Sequence, residues 1–410
     1  AVYDTTLTTE ATYEVDEEEP ASTILGGREV TGDLSTKVER LLPTGTELTV
    51  SHNGRRESTQ STFTARRRRY KGNVKMAVTQ PLLKNAWGVI DRAAIEQVKL
   101  EVERFDYETA DQIEAQILLV RMAYWDLVLA HSNLEIAQRD VRQAQEFFWT
   151  VKEKRLLGLV EDQDLYAAEA HVRLRVIGAL EAQTELENQR HRLQTLLDLP
   201  AGLRIVPHPA PATGRAPVAV DESLARAYRM RRDYRQLALD LRHAALKVKS
   251  KRSGLLPQLD LEASYRTSGL DRELAGAQSE ILGFGHPTFF TGVLFSVPLE
   301  NRQAKGEHRQ ARSEEQRIRT QLKQAERRID RQIREACRNL TLAMARVEQA
   351  QKAEALQRNK LVEEGRQFER GRSDSRTVID FQEDVIEAES QAEQAIVVYH
   401  KAVDALRRAE

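Results

Sequence analysis

The sequence predicts a mainly α-helical chain that also contains membrane-type β-strands, built as two copies of a unit in which strands precede a long helical hairpin. One observation is a repeat, because Gly158 recurs as Gly371 and an apolar pattern recurs at the same offset of 371 minus 158, or 213 residues. The apolar positions Val120, Ala123, Leu127, Ala130, Leu134 and Ala137 recur as Ile333, Ala336, Leu340, Ala343, Val347 and Ala350. The other two observations are long stretches almost without proline or glycine and short stretches that alternate between apolar and polar residues.

Composition narrows the possible functions. The 410 residues include 40% hydrophobic and 30% charged side chains with a net charge of −1, so the basic footprint of a nucleic-acid-binding protein is missing. The one cysteine, Cys337, excludes an intramolecular disulfide framework, and its helical surroundings predict a small buried apolar side chain. No segment has the roughly 18 to 20 apolar residues of a membrane-spanning helix, and residues 1–20 lack a signal peptide. Barrel strands, which need only about ten alternating residues, stay possible.

Strands are predicted where the residues alternate. Residues 7–15 place Thr or Glu at every even position, and residues 30–42 alternate before a turn at 43–45 that leads back into residues 48–50, which predicts a hairpin. Further strands are expected at 74–81, 259–265 and 289–297.

Two kinds of sheet would alternate in this way. A soluble sheet that covers a helical core does so, and so does a membrane barrel. Charged residues in mid-strand on one face, with Tyr and Phe near strand ends on the other, favour a water-filled lumen and a lipid-facing band. About six strands are too few to close a barrel, for which about eight are needed, so closure requires several chains.

Helices far longer than a globular core needs are predicted in both copies. Residues 302–369 contain no proline, so a helix of roughly 65 residues is expected, close to 100 Å at about 1.5 Å per residue. Its apolar residues follow a period near 3.5, as in coiled coils, and the first copy keeps heptad spacing through Leu134, Ala137, Val141 and Ala144. A shorter periodic run follows each glycine, so each copy ends in a helical hairpin.

The chain is therefore expected to have six parts. They are barrel strands at 1–83, a helical hairpin at 84–198, a proline-rich linker at 199–221, a helix at 222–253, barrel strands at 254–300 and a second helical hairpin at 301–410. The prolines exclude helix from the linker.

Enzyme chemistry is not expected. The sequence has no Gly-x-Ser-x-Gly, no glycine-rich phosphate loop, no cysteine pair and no His-Glu-x-x-His. None of the nine histidines has Glu three residues before it, which argues against a di-iron bundle. We predict no catalytic residue, no metal site and no cofactor.

Five short segments give the chain a family resemblance. They are residues 80–83, 193–200, 254–257, 295–299 and 371–382. In order and spacing they resemble the TolC-like outer-membrane efflux proteins, over nearly the whole chain. The resemblance implies a homotrimer whose β-barrel lies among the lipids of a Gram-negative-type outer membrane and continues as an α-helical coiled-coil tunnel across the periplasm. It also implies a passive exit duct, for efflux or type I secretion, that works with a periplasmic adaptor protein and an inner-membrane pump.

The same resemblance points to the two hairpin turns as the site. Gly158 and Leu159 in the first copy, with Gly371 and Arg372 in the second, are expected at the periplasmic tip, where the tunnel narrows and the adaptor docks. The tip would open when its helices rotate apart.

The resemblance suggests which residues constrict the pore. Asp164 and Asp380 match carboxylates of the family, and Thr377 stands where some relatives carry another. A ring of Asp from three chains would hold back anions and favour cations. The alternative is that both Asp residues cap or solvate the start of a helix.

The chain also departs from the family pattern. The helix that usually precedes the first strands is missing, so the sequence is expected to be a fragment, and four strands instead of two occupy the first copy. A trimer would then have twelve strands with an accessory hairpin, or eighteen. Residues 55–70 are expected to form a polar loop on which Arg66, Arg67, Arg68 and Arg69 either contact lipid phosphates or are solvated.

Two other classes of protein stay open. One is a soluble coiled-coil scaffold with a small capping sheet, and the other is a periplasmic adaptor-like protein, which would normally have a single helical hairpin.

Overall fold

The structure, a computed structural model, describes residues 3–16, 29–59, 68–200, 202–203, 205–208, 214 and 219–410. It is mostly helical with one β-sheet, which confirms the predicted balance of the two. Two compact units divide the chain: residues 1–104 with 237–321 form the first, and residues 105–236 with 322–410 form the second.

The first unit contains a six-stranded antiparallel sheet. Its strands are β1 (Thr6–Asp16), β2 (Glu29–Leu41), β3 (Glu47–Thr59), β4 (Arg68–Pro81), β5 (Gln258–Asp271) and β6 (Thr288–Ser296). They pair in chain order, so β4 of the first copy lies directly beside β5 of the second. Within the described residues, β1 and β6 are the two edges and do not pair with each other.

The sheet has two chemically different faces, as the alternation predicted. We call the apolar face the side on which Val50, Met76 and Tyr265 stand in register across β3, β4 and β5. The polar face carries ion pairs, such as Arg55 Nε to Asp33 Oδ1 at 3.1 Å. Large apolar side chains on the apolar face are exposed in the single chain, Met76 by 54%.

The polar loop expected over residues 55–70 is shorter than predicted. Strand β3 continues through Thr59 and β4 begins at Arg68, so both ends of that stretch are strand. Arg69 forms an ion pair with Glu57 of the neighbouring strand, whereas Arg66 and Arg67 lie outside the described residues. Charge pairing across β3 and β4 makes the strands longer than their apolar alternation indicates.

The helices of the two copies have the same lengths. They are α1 (Val89–Leu156), α2 (Asp162–Leu196), α3 (Val220–Met230), α4 (Arg232–Ser253), α5 (Leu274–Leu282), α6 (Arg302–Glu369) and α7 (Ser375–Ala409). Helices α1 and α6 have 68 residues each, and α2 and α7 have 35 each. The boundaries of α6 and α7 lie 213 residues after those of α1 and α2, so that residue 89 corresponds to 302 and residue 196 to 409. The repeat therefore extends to the ends of the helices.

The prediction of a single helix over residues 222–253 is wrong, because the structure has two helices there, α3 and α4. Arg231 between them has an extended backbone, with φ −60° and ψ 126°. Its guanidinium is held by Asp233 Oδ2 at 2.8 Å and by Gln332 Oε1 of α6 at 2.9 Å. These partners compensate the interruption of the helical hydrogen bonds. Helix α3 also begins at Val220, inside the range assigned to the linker.

The core of the second unit follows the predicted heptads in part. Ala123, Leu127 and Ala130 of α1 pack with Leu186 and Leu193 of α2. Cys337 of α6 is buried against Ala227, Ile329 and Ile333, as expected, and burial raises the pKa of its thiol.

Farther along α1 the buried stripe leaves the predicted heptad. Ile136 and Asp140 are buried, whereas Leu134, Ala137 and Val141 are only half-buried. Ala144, the last predicted position, is buried again, so the departure is local; in this stretch α1 also faces α7, where Arg139 pairs with Glu389. Among the helices of the described residues, none is long and apolar enough to cross a membrane.

Candidate functional site

Both long hairpins turn at a glycine with a left-handed backbone. Gly158 has φ 74° and Gly371 has φ 72°. In each turn the next residue closes the helix, since Leu159 N donates to Lys154 O at 2.9 Å and Arg372 N donates to Gln367 O at 2.9 Å. This is the Schellman arrangement, in which glycine avoids the strain of a Cβ at positive φ. The sequence folds the same turn twice.

Replacing Gly371 by Ala is expected to destabilise the tip by about 1 kcal/mol, because an alanine at positive φ is strained. No atom lies within 4 Å of a Cβ built at Gly371, so the cost comes from backbone conformation and not from crowding. Gly365 inside α6 has equally open surroundings, and Gly365→Ala is expected to stabilise the helix by up to about 1 kcal/mol. Chemical unfolding of both variants in detergent measures these opposite changes in the free energy of unfolding. Changes of the same sign in the two variants would contradict the prediction.

The residues just after the turns cap the next helices in two different ways. Asp164 Oδ2 accepts a hydrogen bond from Glu161 N at 3.2 Å, at the start of α2. In the second copy Asp374 Oδ1 accepts from Thr377 N at 2.7 Å, and this backbone hydrogen bond lowers the pKa of Asp374. Carboxylates suit a helix N-terminus because they satisfy free N–H groups there. Asp164 thus has a capping partner.

Asp380 has a different environment from Asp164. It lies in the second turn of α7, is exposed, and has no hydrogen bond or ion pair within the described part of the chain. Ala167 occupies the equivalent position of the first copy. Asp380 is therefore free to face a ligand or a neighbouring chain.

The two tips differ in surface chemistry. Leu156, Leu157 and Leu159 of the first tip are all exposed, Leu156 by 81%. Their equivalents 213 residues later are the charged side chains Glu369, Arg370 and Arg372. One tip is apolar and the other is charged, although both have the same backbone turn.

An apolar cluster joins the two hairpins just behind these tips. Its buried members are Phe147, Val151, Ala168, Phe368 and Val378. The rings of Phe147 and Phe368 have centroids 5.3 Å apart. Lys154 places its ammonium 3.9 Å from the centre of the Phe368 ring and also donates to the Phe368 carbonyl. We call these residues the tip cluster, and it ties the end of α6 to the end of α1.

A buried polar cluster lies farther from the tips, between α1, α2 and α7. Asp140 is 5% exposed and His171 is 4% exposed. Arg175 Nε lies 3.5 Å from Asp140 Oδ2, and the same guanidinium is paired with Glu383. Asp140 Oδ1 and His171 Nε2 are buried without a hydrogen-bond partner among the described residues. We call Asp140, His171, Arg175 and Glu383 the polar cluster.

Burial shifts the pKa values of two members of the polar cluster, Asp140 and His171. Desolvation raises the pKa of Asp140 to about 6, which Arg175 opposes and the carboxylates of Glu383 and Glu389 reinforce. Burial, together with the charge of Arg175, lowers the pKa of His171. This cluster was not predicted from the sequence, because the predicted heptad placed Val141, and not Asp140, in the apolar seam of α1.

No group of three His, Cys, Asp or Glu side chains that could hold a metal ion is found in the described ranges. Neither a family model nor a curated protein matches the sequence of this chain.

Solved structures do match, and outer-membrane channels are among them. The outer-membrane channel OprN is 16% identical and superposes with a TM-score of 0.69 over 99% of this chain and 81% of its own. The outer membrane protein VceC of Vibrio cholerae is 14% identical, with a TM-score of 0.68 over 100% of this chain and 87% of its own. The open state of the MtrE outer membrane channel of Neisseria gonorrhoeae is 19% identical, with a TM-score of 0.64 over 90% of this chain and 80% of its own.

The fold defined by these comparisons is that of the outer-membrane channels. The resemblance to TolC-like outer-membrane proteins is therefore confirmed at the level of the fold. The solved structures named above are described as channels or outer-membrane proteins, and none is described as an enzyme.

Proposed function

We propose that this protein is the outer-membrane exit duct of a tripartite efflux or type I secretion system, and that it conducts its cargo passively. The observation that carries the proposal is the match to outer-membrane channels over 99% of the chain, combined with a sheet that has an apolar and a polar face. The proposed location is the outer membrane of a Gram-negative-type bacterium, with a periplasmic extension. The tunnel is wide and water-filled, so it imposes little chemistry on the cargo.

A homotrimer is the proposed assembly. The edges β1 and β6 leave backbone N–H and C=O groups free for pairing, and six strands are fewer than the roughly eight that a barrel needs. The pairing of β1 and β2 continues the sheet without a break, which favours eighteen strands in three chains over twelve strands with an accessory hairpin.

The hairpin tips are proposed to dock the periplasmic adaptor, which in turn contacts the inner-membrane pump. Exposed leucines around Gly158 and Leu159 offer an apolar surface of the kind that marks protein–protein contacts, and the charged surface around Gly371 and Arg372 offers a second, different one. An adaptor ring that meets both tips would therefore need two kinds of contact.

A ring of Asp380 carboxylates is the proposed constriction. Asp380 has no hydrogen bond or ion pair among the described residues, which supports this role. Asp164 accepts a capping hydrogen bond and Thr377 donates its backbone N–H to Asp374, which supports a structural role for those two residues. Carboxylates from three chains would favour cations and bind multivalent ones.

Single-channel recording in planar bilayers tests the constriction. Asp380→Asn is expected to weaken block by a trivalent cation at least fivefold, because it removes three charges from the ring. Asp384→Asn, four residues farther along α7, is the control, since Lys360 already holds that carboxylate at 2.8 Å. Equal block in wild type and Asp380→Asn would remove Asp380 from the constriction.

Extraction behaviour tests the duct itself. The proposal requires detergent for extraction and a trimer that dissociates on heating. The soluble scaffold predicts a monodisperse monomer without detergent, and that result would overturn the proposed function.

A further inference from the structure

The segment between β5 and β6 carries a short helix that the sequence analysis did not predict. This helix, α5, folds back onto the apolar face of the sheet, where its residues Ala277 and Ile281 are buried. The hydroxyl of Thr267 on β5 donates to Gly285 O at 2.8 Å and fastens the end of the segment to the sheet. The helix therefore lies on the side of the sheet that the proposed function turns toward lipid.

A row of glycines makes room for α5. Gly54, Gly72 and Gly269 are in register across β3, β4 and β5. A Cβ at Gly72 would lie 2.6 Å from Ile281 Cδ1, and one at Gly269 would lie 2.3 Å from Ala277 O. A Cβ at Gly54 meets nothing closer than His52 Cε1 at 3.6 Å. The helix thus covers the glycine row over β4 and β5 and leaves it open over β3.

The open part of the row is the floor of a cleft of about 230 Å³. Gly32, Leu34 and Gly54 contribute to the floor, and Leu274 and Ile281 of α5 contribute to one wall. We call this space the α5 cleft. It lies over β2, β3 and β4, away from the edge strands through which copies of the chain would join.

Leu274, which lines the α5 cleft, is 54% exposed, and the other end of the same segment also carries exposed apolar side chains. Leu282 is 80% exposed and Phe284 is 68% exposed, on the same segment as α5. Apolar side chains that are this exposed are less stable in water than in contact with hydrocarbon. Phe284 also lies next to Tyr265, with ring centroids 6.5 Å apart, and aromatic residues of this kind mark the boundary between hydrocarbon and headgroups.

A cation stands at the rim of the α5 cleft. Arg56 is exposed on the apolar face, with its guanidinium carbon 5.9 Å from the centre of the Tyr70 ring. Both residues line the cleft. Guanidinium binds phosphate through two parallel hydrogen bonds, which matches a phosphate at the headgroup level above an apolar slot.

We propose that the α5 cleft binds one acyl chain of a phosphate-bearing lipid of the outer leaflet, with the phosphate on Arg56. The inference rests on the proposed function, because it requires the apolar face to lie in a membrane. The glycine floor accepts the chain, Leu274 and Ile281 of α5 cover one side of it, and the cation selects an anionic headgroup.

Native mass spectrometry of the detergent-purified protein tests the site, with dipalmitoyl phosphatidic acid as the probe and dipalmitoyl glycerol as the lipid that lacks phosphate. Wild type is expected to bind the phosphatidic acid at least fivefold more tightly than the diacylglycerol. Arg56→Gln is expected to weaken phosphatidic acid binding at least fivefold, and Arg56→Lys to restore part of it. Gly54→Val, which fills the floor, is expected to weaken binding of both lipids at least tenfold.

Arg69→Gln is the matched control, because Arg69 stands on the polar face of β4, does not line the α5 cleft and pairs with Glu57. It is expected to change binding by less than twofold. Equal losses in Arg69→Gln and Arg56→Gln would show nonspecific charge attraction, and unchanged binding in Gly54→Val would place the chain elsewhere. Either result would overturn the proposal.

Planar-bilayer conductance of the same samples separates this inference from the proposed function. If all variants conduct and lipid binding does not discriminate among them, only the lipid site fails. If the wild type neither inserts nor conducts, the duct fails and the lipid site fails with it. Conduction by Gly54→Val also shows that the variant is folded.

Discussion

Phe368→Ala is expected to lower the free energy of unfolding of the helical unit by about 3–5 kcal/mol, the usual cost of removing a buried phenylalanine ring. The ring is 4% exposed and packs against Phe147 across the two hairpins. Its loss leaves a cavity in the tip cluster and removes the aromatic face that Lys154 contacts. Because Phe368 lies three residues before Gly371, the cavity opens beside the turn.

The same substitution is expected to make the proposed duct leakier. The tip cluster holds the end of α6 against α1, so a weakened cluster shifts the tips toward separated arrangements. We expect a higher single-channel conductance in planar bilayers and a lower midpoint of chemical unfolding. A change in stability without a change in conductance would separate the tip cluster from gating.

Phe381→Ala is the control for the tip cluster. The Phe381 ring lies on α7 with the Lys360 ammonium 3.5 Å from its centre, and it is only half-buried. Its truncation is expected to cost about 1 kcal/mol, the order of an exposed cation–π contact. Equal costs for Phe368→Ala and Phe381→Ala would contradict a special role for the tip cluster.

Local signals were sufficient to predict most of the fold. The ends of α6 follow from the absence of proline and from the glycine at 371, and strand faces follow from alternation, because both depend on the residues of the element itself. Helix α5 was missed for the opposite reason. Its nine residues contain a glycine and three consecutive polar residues, and the helix packs on a row of glycines that belong to other elements, the strands β4 and β5.

Asymmetry between the copies limited the prediction of the site. The turns at Gly158 and Gly371 were predictable from repetition, and the structure gives them matching hydrogen bonds. The polar cluster has no such support, since the equivalent of Asp140 is Ala353 and the equivalent of Arg175 is Ala388. The predicted heptad placed Val141 in the seam and Asp140 outside it, whereas in the structure Asp140 is buried beside Arg175 of α2, a contact that the pattern of α1 alone does not contain.

Asp140 is expected to make stability depend on pH with a sign opposite to that of most carboxylates. Its pKa rises from 3.8 to about 6 in the folded chain, so the folded state holds a proton that the unfolded state releases. The contribution is fully present below pH 3.8 and is lost as the pH rises through about 6. A shift of this size corresponds to about 3 kcal/mol.

The charged groups around Asp140 come from every neighbouring element. Arg139 lies on α1, Arg175 on α2, and Glu383 and Glu389 on α7. Arg358 of α6 holds Glu389 at 2.7 Å. Desolvation is the largest cause of the raised pKa of Asp140, Arg175 is the main opposing charge, and Glu383 and Glu389 add smaller contributions that raise the pKa.

Asp140→Asn is expected to be more stable than wild type at pH 7.5, by up to about 3 kcal/mol, because the amide does not have to be buried with a charge. The difference is expected to shrink as the pH falls from 6 toward 4. Chemical unfolding in detergent at pH 4.5 and 7.5 measures it. An equal difference at the two pH values would show that the carboxyl does not titrate in this range.

His171 supplies the internal control, because its titration has the opposite sign. The pKa of His171 is lowered in the folded chain, so its contribution to stability is fully present above the ordinary pKa of 6.5. This contribution is lost as the pH falls, because the buried ring is then forced to accept a proton. Relative to wild type, Asp140→Asn is expected to lose stability faster on acidification, and His171→Gln more slowly. The pH-dependent contributions of Asp140 and His171 to stability thus partly cancel in the wild type, and comparing the two variants separates them. Parallel pH curves for the two variants would contradict this opposition.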